Sequence, residues 1–215
     1  MLQETALHET IKDIKKQLRL AMNGIVSSHQ RNQGLNYKIN CGVEIPRLKA
    51  IASGYGQSKE LALALWQDNI RECKLLAIFL LPQDNYHEVA ATWIAEAPFT
   101  EIADHLAKTI LCNTATAAGD AVSNIQRHDG LFRYCGYMTL SHLFRQGKEL
   151  TGEQTTRYLE EVCDITPEKS GTTAVNAAYN SLIQFIANCS NAREKAVEIF
   201  SGKEGNSTLM SLIEE

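Results

Sequence analysis

The sequence predicts an all-α protein, and three observations lead to this fold class. Apolar residues recur at steps of three and four along most of the chain, as in Ile11, Ile14 and Leu18. Only four prolines occur, and each lies where a helix can start or stop. No stretch alternates convincingly between apolar and polar residues, and only residues 37–43 are ambiguous. We expect a single domain over residues 1–215, since a chain of this length buries a substantial core.

Twelve helices follow from the apolar spacing, with boundaries accurate to about two to four residues. Pro46 fits the first turn of the second helix, and Pro82 follows the end of the fourth. Ser58 is a good N-cap for the third helix, and Thr151 with Gln154 forms a capping box before the ninth. The predicted helices cover residues 5–28, 45–54, 58–66, 69–81, 85–96, 98–111, 115–126, 131–145, 152–163, 170–187, 191–201 and 206–213.

Short helices joined by short loops indicate stacked antiparallel helix pairs. A pair with its turns takes roughly 30 to 45 residues in solenoids of the HEAT type, so the chain would hold about five or six pairs. No strict internal repeat is legible, so the spacing alone also allows an irregular helical bundle.

Composition argues against several classes of protein. The longest apolar run, residues 75–81, is far shorter than the roughly 18 residues of a membrane span, and the N-terminus lacks an apolar signal core. We therefore expect a cytoplasmic protein that does not contact a membrane. The cysteines form no CxxC pair and the histidines no pair at helical ligand spacing, so we expect reduced thiols, no metal and no cofactor. The net charge of −4 argues mildly against nucleic acid but leaves a local basic face open.

One such basic face lies on the first helix. Lys12, Lys15, Lys16 and Arg19 line one side of this helix, and Asp13 among them weakens the local positive field. The face is either an ordinary solvated surface beside the apolar stripe or a strip that contacts a DNA backbone.

Three segments resemble one known family. They are GVEIPRLKAIASGY at residues 42–55, ELALALWQDNIRECKLLAIFLLP at residues 60–82 and LFRYCGYMTLSHLF at residues 131–144. In this order and spacing, over about residues 36–194, the chain resembles the DNA alkylation repair proteins of the AlkD type. The resemblance implies a curved solenoid of HEAT-like repeats, double-stranded DNA as partner, and hydrolysis of the N-glycosidic bond of N3- and N7-alkylated purines.

The chemistry of that family explains which residue types it needs. An alkylated purine is already cationic and leaves without help from an acid, whereas bond breaking builds positive charge on the sugar. A carboxylate near the sugar stabilises this charge, and tryptophan faces add cation–π attraction.

The resemblance assigns the catalytic carboxylate to Asp104, in the segment WIAEAPFTEIADHLAKTIL. A cleft tryptophan one helical turn earlier falls on Thr100, with Phe99 beside it. The plainer interpretations are an exposed ion pair of Asp104 with Lys108, a helix-start role for Thr100 and a core contact for Phe99.

The resemblance assigns a DNA-binding arginine to Arg133, whose alternative role is an ordinary inter-helix ion pair. The second cleft tryptophan falls near Ser181, with Tyr179 two residues away. The only tryptophans of the chain, Trp66 and Trp93, lie elsewhere. The chain therefore keeps the carboxylate and the arginine and lacks both tryptophans of the cleft.

From these residues we expect a DNA alkylation repair-like protein that binds duplex or damaged DNA, with base release absent or slow. The alternative is a non-catalytic HEAT-like scaffold that binds a protein or another nucleic-acid structure, which the acidic pI of about 5.9 favours. Glu72 and Lys74, in the most specific segment, are interpreted as structural ion-pair residues, since an isolated buried charge is costly.

Overall fold

The computed structural model describes residues 2–201 and 207–214, and its regular structure is helical, as predicted. Across these residues there are thirteen α-helices and two short 3₁₀ turns, at Gln83–Asn85 and Leu111–Asn113. An isolated bridge joins Ile39 in the ambiguous stretch to Ile70. The helices are α1 (Leu2–Leu20), α2 (Gly24–Asn32), α3 (Ile45–Ala52), α4 (Lys59–Trp66), α5 (Arg71–Leu80), α6 (Tyr86–Glu96), α7 (Thr100–Thr109), α8 (Ala117–Ile125), α9 (Phe132–Arg145), α10 (Gly152–Asp164), α11 (Pro167–Asn188), α12 (Ala192–Phe200) and α13 (Ser207–Glu214).

The chain divides into two compact units, Met1–Val89 and Ala90–Glu215. In the first unit, α3 and α4 both pack against α5, and α1 packs against α4. In the second unit, α9 contacts α7, α8 and α11, while α10 contacts α8, α11 and α12. A single domain over residues 1–215 and a curved solenoid of helix pairs stay predictions.

The first predicted helix, residues 5–28, is wrong, because two helices occupy this segment. The first ends at Leu20, and Asn23 starts the second by accepting hydrogen bonds from the backbone N–H groups of Ile25 and Val26 at 3.2 Å each. Asparagine favours such caps because its side chain competes with the helix for backbone donors. Ile25, which continues the apolar spacing in sequence, is 84% exposed.

Two of the predicted helix starts are confirmed by their hydrogen bonds. Thr151 and Gln154 form a complete capping box at α10, and Ser58 accepts from the Leu61 backbone N–H at the start of α4. The helix predicted at residues 170–187 extends over 167–188 but is broken at Gly171, where φ is 74° and ψ is 151°. Residue 206, the predicted start of the last helix, lies outside the described residues.

A buried ion pair organises the first unit. Arg71 and Glu72, at the start of α5, are 2% and 0% exposed, and Arg71 Nη1 donates to Glu72 Oε1 at 3.0 Å. The Glu72 carboxylate also accepts from the backbone N–H groups of Cys41 at 3.1 Å and Val43 at 3.2 Å. The structural interpretation of Glu72 therefore agrees with its contacts, which hold residues 41–43 against α5.

In the second unit, α9 is fixed by close packing on both sides. At Gly136 an added Cβ would lie 2.7 Å from Ile125 Cγ2 and 2.8 Å from the Ala121 carbonyl oxygen, so α8 and α9 approach more closely than any larger residue allows. Aromatic rings from α9, α10 and α11 pack together with centroids 5.1–6.5 Å apart, in a cluster of Tyr137, Phe144, Tyr158 and Phe185. This packing fixes the start of α9, where the candidate site lies.

The six cysteines are free thiols, and four of them are buried. Within residues 2–201 and 207–214, no cluster of three or more histidine, cysteine, aspartate or glutamate side chains is arranged to hold a metal ion. None of the described helices is both long and apolar enough to cross a membrane.

Candidate functional site

The candidate carboxylate, Asp104, lies in the middle of α7. The side chains of Ile102 and Leu106 form the inner face of this helix and are completely buried. Asp104 lies next to this inner face and is half-buried. Thr100 is the first residue of α7 and lies one turn before Asp104, while Phe99 is the residue that precedes the helix. Both are partly exposed. The site roles assigned to these three residues stay predictions.

Asp104 is held by a residue that the sequence analysis did not single out, Tyr134. The Tyr134 hydroxyl, on the first turn of α9, donates to Asp104 Oδ1 at 2.7 Å. Tyr134 directly follows Arg133 in the FRYCGY segment, and this position in the motif is the sequence signal that points to it.

The surroundings shift the pKa of both partners upward. Burial raises the pKa of Asp104 above its usual 3.8, the Tyr134 hydrogen bond opposes this shift, and the nearby Glu101 adds to it. Burial, followed by the hydrogen bond to Asp104, raises the pKa of Tyr134 far above its usual value. Tyr134 is therefore a neutral donor at any physiological pH and orients the Asp104 carboxyl.

Arg133 lies at the start of α9 and is 8% exposed. Its guanidinium donates to the Ile125 carbonyl oxygen at 2.6 Å, to Ser170 Oγ at 2.6 Å and to the carboxylate of Glu161. These contacts tie α9 to α8, α10 and α11, so Arg133 serves as an inter-helix ion-pair residue in this structure. A phosphate contact by Arg133 stays a prediction.

A cavity of about 130 Å³ opens beside Arg133 and Tyr134. It contains the side chains of one lysine and two arginines, and it is lined by Arg127, His128, Gly130, Leu131, Arg133, Tyr134, Lys169, Ser170, Thr173 and Ala174. Arg127 also pairs with Asp129 and lies 3.3 Å over the ring of Phe132. Tyr134 thus joins a cation-lined cavity on one side to the Asp104 carboxylate on the other.

The residues assigned to the second cleft position lie further along α11. Ser181 is fully buried, shares a 2.9 Å hydrogen bond with Tyr158 and donates to the Ala178 carbonyl oxygen at 2.7 Å. Tyr179 is partly buried at the edge of the aromatic core. DNA binding by Tyr179 and Ser181 stays a prediction, and the burial of Ser181 counts against its part in it.

Neither tryptophan presents an indole face to a ligand. Trp66 is 1% exposed and Trp93 is 2% exposed. Lys74 Nζ lies 4.5 Å from the centre of the Trp66 ring and donates to the Trp66 carbonyl oxygen at 2.8 Å. Lys74 thus contacts Trp66 through a cation–π interaction and a hydrogen bond, and an ion pair of Lys74 stays a prediction.

The comparisons with known proteins place the chain in one family. A model of the family described as DNA alkylation repair enzyme matches residues 14–132, which is more than half of the 215-residue chain. The matched range includes Asp104 and ends just before Arg133. Searches of curated proteins and of solved structures found no match. From the match to its family model, the chain belongs to the DNA alkylation repair enzyme family.

Proposed function

We propose that the protein binds duplex DNA through the part of the second unit that contains Asp104, Tyr134 and the cation-lined cavity. The observation that carries the proposal is the 2.7 Å hydrogen bond that holds the Asp104 carboxyl beside that cavity. A DNA backbone would place phosphates near Arg127 and Lys169, and the sugar of an N3- or N7-alkylated purine would lie against Asp104.

Base release at such a site breaks the bond between the sugar C1′ and the purine nitrogen. The electron pair of this bond neutralises the cationic base, and positive charge develops on the sugar. The Asp104 carboxylate would stabilise that charge, while Tyr134 fixes its orientation. Water then bonds to C1′ and releases its proton, so that no acid, metal or cofactor enters the balance.

We further propose that this release is absent or slow, because both tryptophans are buried. A tryptophan face over a developing sugar cation contributes about 0.5 to 2 kcal/mol. Losing two such faces raises the barrier by about 1 to 4 kcal/mol, which corresponds to a rate about 5-fold to 1,000-fold lower.

The two exposed cations of the cavity supply the test of binding. The double variant Arg127→Gln/Lys169→Gln should weaken duplex binding and lower the slope of log affinity against log salt by about 2, since each phosphate contact contributes about 1. Arg157→Gln/Lys148→Gln removes equal charge at exposed positions outside the cavity and should leave the slope unchanged. Equal slopes for both double variants would contradict the assignment of this cavity to DNA.

Arg133 is less suited to such a test because its substitution leaves Glu161 without its guanidinium partner. We expect Arg133→Ala to lower the stability of the fold as well as any DNA affinity. The Asp104→Asn variant keeps an acceptor for Tyr134 and should bind DNA almost normally while losing residual base release.

The second candidate function is a non-catalytic scaffold. The net charge of −4 and the internal hydrogen bonds of Arg133 favour it. The same titration separates the two functions, because a scaffold for protein would show no salt-dependent affinity for duplex DNA.

A further inference from the structure

Charge is distributed unevenly along the chain, and in one segment of the first unit every charged residue is a lysine or an arginine. Residues 14–43 contain five lysines and arginines and no aspartate or glutamate. The other 16 basic residues and all 25 acidic residues lie outside this segment, so the remainder of the chain carries a net charge of −9. Lys15 pairs with Asp68 at 2.9 Å, while Lys16, Arg19 and Arg31 are exposed.

The same segment exposes apolar side chains where α1 turns into α2. We call residues 20–25 the α1–α2 tip. Within it Leu20 is 79% exposed, Met22 is 58% exposed and Ile25 is 84% exposed, and among the described residues these are the three most exposed large hydrophobic side chains. Three exposed apolar side chains within six consecutive residues favour a binding partner over isolated surface exposure.

Lys16, Arg19 and Leu20 lie on a common side of α1. Ile14 and Leu18 are buried at 0% and 1% exposure and define the inner face of the helix. Lys16 and Leu20 are four residues apart and lie on the opposite, solvent face, with Arg19 beside them. Asp13, three residues before Lys16, also lies on this face and offsets part of its positive charge. The partner that fits this surface therefore carries negative charge next to an apolar insertion site.

The tip is held firmly rather than left loose. The Asn23 backbone N–H donates to the Cys41 carbonyl oxygen at 2.9 Å. Gly42 has a φ of 68°, and an added Cβ there would lie 2.1 Å from the Asn23 carbonyl oxygen, so only glycine permits this approach. Residues 41–43 are in turn bonded to the buried Glu72, which connects the tip to the core of the first unit.

We propose that the α1–α2 tip and the cations beside it form a second contact surface for duplex DNA. Lys16, Arg19 and Arg31 contact phosphates on either side of the minor groove, and the apolar side chains of the tip press into a base step and partly unstack it. Proteins that kink DNA combine cations with apolar wedges in this way. The choice of DNA as partner rests on the proposed function, while the surface itself belongs to the first unit and shares no residue with the Asp104 site.

Two variants at exposed positions test the surface, with duplex DNA as the probe. Lys16→Gln/Arg19→Gln should lower the slope of log affinity against log salt by about 2. Leu20→Gln/Met22→Gln/Ile25→Gln should keep the slope of the wild type and lose a preference of about 10-fold for a duplex with one mismatched pair, because a mismatched step is easier to unstack.

Matched controls remove the same groups elsewhere. Arg47→Gln/Arg157→Gln removes two exposed cations outside residues 14–43, and Ile183→Gln removes an apolar side chain that is 45% exposed in α11. Neither should change the slope or the mismatch preference. Melting temperatures equal to that of the wild type would show that each variant folds.

Each outcome decides for or against the surface. If the wild type binds duplex DNA and both tip variants keep its salt slope and its mismatch preference, the proposed second contact surface is contradicted while the proposed function stands. If the wild type binds vesicles of anionic lipid through Leu20, Met22 and Ile25 but no duplex, the surface is a membrane contact and the proposed function fails with it. Loss of slope in one variant and loss of mismatch preference in the other supports the inference.

Discussion

A Glu72→Gln substitution should lower the free energy of unfolding by about 3–5 kcal/mol, the range for breaking a buried ion pair. Glu72 is 0% exposed, and its carboxylate accepts from Arg71 and from the backbone N–H groups of Cys41 and Val43. Glutamine has nearly the same shape as glutamate, so the substitution removes the negative charge and one acceptor oxygen without changing the packing. The amide nitrogen of the glutamine is a donor, and it would face one of the N–H groups from which Glu72 now accepts a hydrogen bond.

The magnitude follows from the three hydrogen bonds, which are 3.0 to 3.2 Å long and fully removed from water. A hydrogen bond to a charged group contributes about 1.5–3 kcal/mol, and the loss of the carboxylate also leaves the Arg71 guanidinium buried at 2% exposure with less compensation. A loss of this size is a large part of the 5–15 kcal/mol typical of a domain.

Urea unfolding followed by circular dichroism measures this loss, with Glu60→Gln as the exposed control, for which we expect a change within about 0.5 kcal/mol. The double variant Arg71→Met/Glu72→Leu should lose less than the sum of its two single variants, because it removes both charges together. A loss below about 1 kcal/mol for Glu72→Gln would refute the role of this carboxylate as the clamp of residues 41–43.

Three further outcomes are expected in the second unit. Gly136→Ala should cost about 1–3 kcal/mol in urea unfolding, because its Cβ would lie 2.7 Å from Ile125 Cγ2 and 2.9 Å from the Ile125 backbone nitrogen. Tyr134→Phe should raise the pKa of Asp104 further, because it removes the hydrogen bond that lowers this pKa. An NMR titration that follows the Asp104 carboxyl carbon measures the change. Burial, and then Arg145 and Lys108, lower the pKa of His142 below its usual 6.5. Because the unfolded chain binds a proton at this histidine more readily than the folded chain, the free energy of unfolding should fall as pH falls below about 6.5. His142→Gln should reduce this loss, which urea unfolding at a series of pH values measures.

The fold class and several helix starts follow directly from local rules in the sequence. The capping box of Thr151 and Gln154 and the N-cap at Ser58 are short-range contacts, which a few consecutive residues specify. The break between α1 and α2 was missed because the apolar spacing continues across it. The cap at Asn23 depends on that one side chain and on a backbone contact with Cys41, which is distant in sequence.

In the candidate site, too, residue types follow from the sequence, whereas contacts between residues distant in sequence do not. Family resemblance assigns the predicted carboxylate to Asp104, but its hydrogen-bond partner Tyr134 is 30 residues away and becomes visible only when α7 and α9 are packed together. Arg133 has the residue type expected for a phosphate contact, yet its partners come from three other helices. The residue type alone could not separate these two roles, because a guanidinium binds a carboxylate and a phosphate by the same geometry.

The rate of N7-methylguanine release from a duplex, measured in a single turnover with excess protein, tests the central claim most directly. With Trp66 and Trp93 both buried, the account predicts salt-dependent binding of the duplex and release about 5-fold to 1,000-fold slower than by a family member with exposed cleft tryptophans assayed alongside. Release as fast as by that family member, and abolished by Asp104→Asn, would contradict the argument from the buried tryptophans Trp66 and Trp93.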